Sequence, residues 1–342
     1  MASRFQILSL SGGGARGLYT AQVLAELENR FKKPIAKHVD LICGTSIGGI
    51  LALGLAAHIP AEYILSTFDK HRKSIFPDNK PWKKKGFIFG LSPKDISQLK
   101  KSQYSSEPLK KAVEEIYEGR KVKDLKSCVL VPAINYTVGK MRVFKTPHHH
   151  DFYQDQERTL SDVALATSAA PTYFPIHAIN GERYVDGGLT ANNPIQLGII
   201  EAFRAFQIPL DSISGLCIGN MGQGLSVNHE NALDLGYLGW GFGRDIINLS
   251  MSVNEQLSFD MARMLLNGRL YQIDSDATEQ QAQLLKLDNG SDAAAEILRA
   301  HARNKAGEQV NTPEIIEFFQ HSAKALPTYS VKDAREVSNA KV

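Results

Sequence analysis

A serine between glycines, placed where an apolar strand meets an apolar helix, is the feature that most constrains this chain. Residues 40–43 are typical of the end of a short buried strand, and a helix-like apolar segment follows at 47–57. The intervening residues 44–48 have the pattern G-x-S-x-G, in which Gly44 and Gly48 tolerate a sharp strand-to-helix turn. Such a turn exposes the hydroxyl of Ser46 beside the positive end of the helix dipole. The pattern predicts a nucleophilic serine, or else an ordinary helix cap.

The segments around this serine alternate between strand and helix. Residues 5–10 form an apolar strand pattern, 11–17 a tight glycine loop, 18–31 an amphipathic helix and 39–43 a second strand. Strands that alternate with helices in this way predict an α/β fold with a mainly parallel central sheet and helices on both faces.

The glycine loop has two interpretations. Its pattern G-x-G-x-x-G between a strand and a helix fits a dinucleotide fingerprint, but that fingerprint needs an acidic residue at the end of the second strand, where the serine turn stands. The other interpretation is an oxyanion hole, in which backbone N–H groups converge and an arginine adds positive potential. Neighbouring parallel strands would bring the loop beside Ser46 at their carboxyl edge. The residues that we assign to this hole are Gly12, Gly13, Gly14, Arg16 and Gly17.

A nucleophilic serine also needs a base. Asp186 ends an apolar β segment, and Gly187 and Gly188 then let the chain turn sharply and leave the carboxylate uncovered. A carboxylate is an effective base only in a partly dry pocket. A histidine from an α/β-hydrolase triad is the alternative. The histidines that follow the serine in that order are His229, His301 and His321.

Four blocks of the sequence together resemble the patatin-like phospholipase family. They are G-G-G-x-R-G at 12–17, G-x-S-x-G at 44–48, A-A-P-x-Y-F-P at 169–175, and D-G-G followed by N-N-P within 186–194. The resemblance implies a patatin-like three-layer fold and a serine acyl hydrolase of the phospholipase A type. It also implies Ser46 as the nucleophile, Asp186 as the base, an acyl-enzyme intermediate, and no metal or cofactor.

A further likeness concerns control of the activity. The chain, which opens with FQILSLSGGG at 5–14, is similar to the bacterial patatin-like effectors of anti-phage signalling. In those proteins a cyclic dinucleotide switches on the degradation of membrane phospholipids, so the likeness implies a cyclic dinucleotide activator. The alternative from another functional class is a non-catalytic α/β module that binds a phosphate or a dinucleotide with the glycine loop.

We divide the chain into a catalytic domain at 1–225, a helical elaboration packed on it at 226–328, and a polar tail at 329–342. A basic insertion at about 72–105 interrupts the first part, and we expect it to be mobile. Residues 70–101 contain ten Lys or Arg against two acids. Lysines attract anionic headgroups and aromatic rings enter the headgroup layer, so the insertion predicts a membrane contact. Its contact residues would be Trp82, Lys83, Lys84, Lys85, Phe87 and Phe89.

Composition limits the partners. The net charge of +3 and a pI of about 8.6 give no reason to expect a nucleic acid polymer. The longest apolar run is shorter than the roughly 20 residues that span a bilayer, and no secretory leader is evident. We expect a cytoplasmic protein that is peripheral to the inner membrane when active. The oligomeric state is open, and a dimer is compatible with the sequence. The run 148–150 of three histidines suggests a metal site or a solvated polar loop, and we favour the loop because no acidic residue at ligand spacing supports a metal.

Overall fold

The central sheet positions Ser46, Asp186 and the glycine loop. The computed structural model describes residues 4–77, 101–222 and 244–327, and the strands in these ranges form one eight-stranded sheet. Its order is β5-β6-β3-β2-β1-β7-β8, with β4 paired to β3. The strands are β1 (Phe5–Leu10), β2 (Leu41–Gly44), β3 (Cys128–Asn135), β4 (Lys140–Lys145), β5 (His177–Ile179), β6 (Glu182–Asp186), β7 (Ile213–Ile218) and β8 (Leu270–Ile273).

The strands β3, β2, β1, β7 and β8 run parallel, and the carboxyl ends of β2, β1, β7 and β8 are level. Leu10 at the end of β1 pairs with Gly44 of β2 and with Ile218 of β7. Ile218 pairs in turn with Ile273 of β8. The loops that follow these four strands therefore emerge side by side, as ligand-binding loops do in open α/β sheets.

Strand β6 reaches the same place from the opposite direction. Leu130 of β3 pairs both with Cys43 of β2 and with β4, so β2 and β4 lie on opposite edges of β3. Ala133 pairs both with β4 and with Asp186 of β6, so β6 shares the edge of β2. Because β6 is antiparallel to β3, the carboxyl ends of β2 and β6 face each other along that edge. Pro132, which has no N–H to donate, lies between the two pairings.

Helices cover both faces of the sheet. Alternate residues of β1 point into two separate cores: Leu8 packs in the larger one and Ile7 in the smaller one. Strands buried on both faces consist of continuous apolar runs, as β1 does. The helices are α1 (Gly17–Phe31), α2 (Ile47–Ala56), α3 (Ala61–Ile75), α4 (Glu107–Tyr117), α5 (Leu160–Thr167), α6 (Gly188–Ala191), α7 (Ile195–Arg204), α8 (Arg244–Leu266), α9 (Glu279–Leu284), α10 (Asp292–Gln309) and α11 (Pro313–Phe319).

The sequence predicted a helical elaboration after residue 225, but this part of the chain is not only helical. It contributes β8, which pairs in parallel with β7 and extends the sheet. Its helix α8 packs against α6 and α7, and α10 packs against α1. A strand of four residues is too short to show a period in the sequence, which is why it was missed. Among the described residues, no helix is long and apolar enough to cross a membrane.

Candidate active site

Ser46 lies at the sharp turn between β2 and α2. Its backbone has φ 55° and ψ −124°, a left-handed conformation that residues other than glycine rarely adopt. The N–H of Ser46 donates to Oγ1 of Thr167 at 3.0 Å, and this hydroxyl donates to the carbonyl oxygen of Pro132 at 2.6 Å. Thr167 thus connects the serine turn to β3 and helps to hold the strained conformation.

The predicted glycines of this turn are required by close packing. A Cβ on Gly48 would lie 2.2 Å from the carbonyl oxygen of Leu10, and a Cβ on Gly44 would lie 2.1 Å from the carbonyl oxygen of Gly48. The first turn of α2 therefore rests directly on the end of β1. Ser46, only 7% exposed, is held beside the glycine loop that follows β1.

Asp186 lies at the end of β6, which faces the end of β2. Its Oδ1 accepts a hydrogen bond from the N–H of Gly188 at 2.7 Å, and its backbone N–H donates to the carbonyl oxygen of Ala169 at 3.0 Å. The Oδ2 atom is buried and has no hydrogen bond of ordinary geometry within the described ranges. Gly187 fits closely under this turn, because a Cβ there would lie 2.3 Å from the carbonyl oxygen of Pro132. One carboxylate oxygen is thus fixed and the other is available.

Burial raises the pKa of Asp186 to about 6, from an ordinary value of 3.8. The N–H of Gly188 and then the hydroxyl of Ser46 oppose this shift by stabilising the charged form. The serine hydroxyl therefore lies next to the carboxylate, and both residues line the same cavity. A general base with a pKa near 6 is ionised at neutral pH and still basic enough to accept a proton.

Among the residues that the structure describes, no histidine takes part in this arrangement. Within the described residues, none of the side chains that line the cavity is a histidine. The ring of His301 lies against Gln281, and Nε2 of His321 lies 2.7 Å from Asp40. His229 lies outside the described residues. The interpretation as a histidine triad is therefore wrong for His301 and His321.

The glycine loop presents two backbone donors. The N–H groups of Gly13 and Gly14 donate to no described residue, whereas the N–H of Ala15 donates to the carbonyl oxygen of Leu287 at 2.8 Å. Gly14 has φ 55° and lines the cavity with Ser46. A pair of free N–H groups beside a serine hydroxyl is the arrangement that stabilises an oxyanion.

Two other glycines of the predicted oxyanion hole have packing roles instead. The N–H of Gly12 donates to the carbonyl oxygen of Asn192 at 3.0 Å, so it is not free. The N–H of Gly17 bonds to carbonyl oxygens of the preceding turn, and a Cβ on Gly17 would lie 2.1 Å from Ile47. Both were assigned from their place in the motif, which does not reveal where each N–H points.

Arg16 belongs to a charged cluster behind the loop. Burial lowers its pKa, and the carboxylates of Glu255 and Asp274 oppose that shift. Burial raises the pKa of Asp274 to about 7. Arg16 is not among the residues that line the cavity. The structure therefore places its guanidinium with these acids, and not on the wall of the predicted oxyanion hole.

The cavity in front of the serine is mostly apolar. Phe76, Tyr104 and Phe174 pack against one another at one side of it, with ring centroids 5.8 to 5.9 Å apart. The hydroxyl of Tyr104 donates to Asp288 at 2.8 Å, so its polar end points away from a hydrocarbon lining. The other apolar residues that line the cavity are Ile47, Ile50, Phe68, Leu109, Ala170, Tyr173, Ile247, Met251 and Leu287.

The site also depends on residues to which the sequence analysis gave no role. Thr167 holds the serine turn, while Asn192 and Asn220 contact Gly12. The only signal in the sequence was proximity to the blocks A-A-P-x-Y-F-P and N-N-P. A block match marks such positions without saying what they contact.

The histidine run is not wholly a solvated loop. His148 is only 2% exposed, and its ring contacts Thr146 at 2.8 Å and Glu201 at 2.9 Å. The nitrogen and oxygen atoms of His149, His150 and Asp151 lie within 4.8 Å of one another at the partly exposed end of the run. The cysteines Cys43, Cys128 and Cys217 are buried and free.

The predicted membrane contact lies outside the described residues. It comprises Trp82, Lys83, Lys84, Lys85, Phe87 and Phe89.

Comparisons with known proteins point to one family. A family model described as patatin-like phospholipase matches residues 8–199. Over 325 residues the chain is 39% identical to a cGAMP-activated phospholipase of Pseudomonas aeruginosa, with 94% of this chain and 93% of the relative covered. Over 352 residues it is 36% identical to a cGAMP-activated phospholipase of Vibrio cholerae, with 95% of this chain and 97% of the relative covered.

A plant relative matches a smaller part. Patatin-like protein 2 of Arabidopsis thaliana is 30% identical over 217 residues, which cover 57% of this chain and 52% of that protein. The predictions of a patatin fold and of an ester hydrolase are confirmed. The chain belongs to the patatin-like phospholipase family.

Proposed function

We propose that this protein is a phospholipase of the A type that cleaves fatty acyl esters of membrane phospholipids with a Ser46–Asp186 dyad. The observation that carries the proposal is the buried carboxylate of Asp186, which has one fixed oxygen and one available oxygen beside the hydroxyl of Ser46. The apolar lining of the cavity suits a hydrocarbon chain.

The first half of the reaction acylates the enzyme. Asp186 accepts the proton of the Ser46 hydroxyl as Oγ attacks the ester carbonyl, and the N–H groups of Gly13 and Gly14 stabilise the oxyanion. The tetrahedral intermediate then expels the lysophospholipid alkoxide, which takes the proton from Asp186. The fatty acyl group remains on Ser46 as an ester.

The second half releases the fatty acid. Asp186 accepts a proton from water, the resulting hydroxide attacks the acyl ester, and Ser46 leaves as its hydroxyl after taking the proton back. One carboxylate thus serves as base and acid in turn, which a pKa of about 6 permits better than a pKa near 3.8 would.

Fluorophosphonate labelling and fatty acid release from phospholipid vesicles test the dyad. With cGAMP present throughout, we expect labelling and release for the wild type, and loss of both in Ser46→Ala and in Asp186→Asn. A wild type that is neither labelled nor active would instead favour a non-catalytic module that binds a phosphate with the glycine loop. Activity that survives Asp186→Asn would contradict the role of the aspartate.

We further propose that a cyclic dinucleotide switches this activity on, in a defence response against phage. The support is the near full-length similarity to two proteins named cGAMP-activated phospholipase, together with the likeness noted from the sequence. Fatty acid release should rise when cGAMP is added to enzyme and vesicles. Release that is already maximal without any nucleotide would contradict this part of the proposal.

The proposed substrate requires contact with a membrane surface, on the cytoplasmic side of the inner membrane. Lysines near a bilayer contribute on the order of 1 kcal/mol each toward anionic lipid. Replacing Lys83, Lys84 and Lys85 with Gln should therefore weaken sedimentation with phosphatidylglycerol vesicles, while labelling of Ser46 by a soluble fluorophosphonate stays unchanged. Unchanged sedimentation would remove this segment from the membrane contact.

A further inference from the structure

Gly12, at the start of the glycine loop, is held on both its polar groups by asparagine. Its N–H donates to the carbonyl oxygen of Asn192 at 3.0 Å. Its own carbonyl oxygen accepts from Nδ2 of Asn192 at 3.2 Å and from Nδ2 of Asn220 at 2.8 Å. These bonds fix the peptide plane that precedes Gly13, and so they influence where the free N–H groups of Gly13 and Gly14 point.

The side chain of Asn192 is oriented by a carboxylate on α8. Its Nδ2 donates to Oε2 of Glu255 at 2.7 Å, and Glu255 also accepts from the hydroxyl of Ser11. Ser11 precedes Gly12 in the chain, and Asn192 is hydrogen-bonded to Gly12. One carboxylate therefore holds two neighbours of the same peptide group.

The surroundings of Glu255 strengthen these contacts. Its carboxylate is buried, which raises its pKa, while the guanidinium of Arg16 favours the charged form. Hydrogen bonds that involve a carboxylate are shorter and stronger than neutral ones, and water competes little in a buried site. The helix α8 is itself anchored here, because Oδ1 of Asn254 accepts from the N–H of Asn192 at 3.0 Å.

We propose that Glu255 is a positioning residue of the oxyanion hole. Through Asn192 and Ser11 it holds Gly12 so that the N–H groups of Gly13 and Gly14 face the oxyanion that forms on the substrate. This inference rests on the proposed function, since it assigns a role within that same reaction. Glu255 lies on α8, which follows residues 8–199 matched by the family model. The inference therefore gives this helix a part in positioning the oxyanion hole.

The test compares Glu255→Ala, Glu255→Asp and Glu255→Gln with the wild type, with cGAMP present throughout. The substrate is a p-nitrophenyl ester of a medium-chain fatty acid.

Glu255→Ala removes the acceptor and should lower kcat by about 10- to 100-fold with little change in KM, since oxyanion donors act in the transition state. Glu255→Asp withdraws the carboxylate by one methylene and should also lower kcat. Glu255→Gln keeps an oxygen acceptor for Asn192 and should retain kcat within a few-fold. Gln256→Ala, an exposed neighbour on α8, is the matched control.

A second readout separates positioning from general damage to the fold. The inhibitor is a trifluoromethyl ketone that carries a fatty chain. Oγ of Ser46 adds to its carbonyl carbon and Asp186 takes the hydroxyl proton. The carbonyl oxygen then becomes an oxyanion in the proposed hole. Its inhibition constant should weaken in Glu255→Ala by the same factor as kcat falls.

Two results overturn the inference. One is a kcat of Glu255→Asp that equals the wild-type value. This result would overturn the inference even if Glu255→Ala does not fold. The other is a fall in kcat without any weakening of the ketone. Ser46→Ala in the same series checks the underlying reaction: if it hydrolyses the ester as fast as the wild type, the proposed function fails, and not the role of Glu255 alone.

Discussion

Replacing Asp186 with Asn should abolish turnover and at the same time stabilise the fold at neutral pH. The carboxylate is only 1% exposed, and burial raises its pKa from 3.8 to about 6. An amide has the same shape, can still accept from the N–H of Gly188 through Oδ1, and carries no charge that must be buried. Nδ2 would replace the oxygen atom that has no ordinary hydrogen bond, and could donate to the hydroxyl of Ser46.

The sign and size of the effect follow from proton linkage. A carboxyl group with a raised pKa in the folded state contributes stability that is fully present below its unfolded value of 3.8 and is lost as the pH rises through about 6. The difference of about two pH units corresponds to about 3 kcal/mol, at roughly 1.4 kcal/mol per unit. Asp186→Asn should therefore gain about 3 kcal/mol in the free energy of unfolding at about pH 8, and about half of that at about pH 5.

Urea denaturation of the wild type and the variant at the two pH values measures this gain. Ser46→Ala is the control, because it is also inactive but keeps the carboxylate. It removes a hydroxyl that lowers the pKa of Asp186, so its stability should keep falling to a higher pH than that of the wild type. A variant Asp186→Asn that is no more stable than the wild type at about pH 8, or that gains equally at both pH values, would refute the assignment of a raised pKa to this group.

Three further predictions concern the site. The value of kcat/KM on a soluble ester should rise with pH and level off above about 6, because only ionised Asp186 can accept the serine proton; a flat profile from about pH 5 to 7 would contradict this. Ser46→Gly should be more stable than Ser46→Ala by about 1 kcal/mol in urea denaturation, since φ 55° costs a residue with a side chain about 1 to 3 kcal/mol; equal stability would contradict the strain. Gly14→Ala should lower kcat by about 100-fold or more, because its Cβ would lie 2.2 Å from the carbonyl oxygen of Leu287. Gly139→Ala, also at positive φ but in open space, should lose stability and keep its kcat; similar losses of kcat in both variants would contradict the role of the loop.

Elements with a local signal could be predicted from the sequence. The strand at 5–10 has the predicted bounds, and the helix predicted at 18–31 spans Gly17–Phe31, because strong apolar periodicity and turn residues mark both segments. The placement of β2 and β6 on the same edge of β3 could not be predicted, since it depends on pairings between segments about 50 to 90 residues apart. The strand β8 was missed because four residues carry too little pattern.

The same distinction applies to the site. Ser46, Asp186 and the glycines of their turns were found because each turn has its own sequence pattern. Gly14 lines the cavity, and the N–H groups of Gly13 and Gly14 donate to no described residue, whereas Gly12 and Arg16 have other partners. The direction of an N–H or of a guanidinium depends on neighbours far along the chain, which the pattern does not contain.

In the proposed dyad, a division of work between the two oxygens of Asp186 would let one carboxylate replace a histidine. Oδ1 is fixed by the N–H of Gly188, which orients the side chain and leaves Oδ2 buried and without an ordinary hydrogen bond to any described residue. Burial raises the pKa toward the range in which histidine titrates, so the same group can accept a proton from Ser46 and return it to a leaving alkoxide. In a solvated turn the carboxylate would be too weak a base for this cycle, and deeper burial without the Gly188 and Ser46 donors would keep it protonated at neutral pH. The dyad therefore requires burial and the Gly188 donor together, and the fold tolerates the resulting loss of stability above about pH 6.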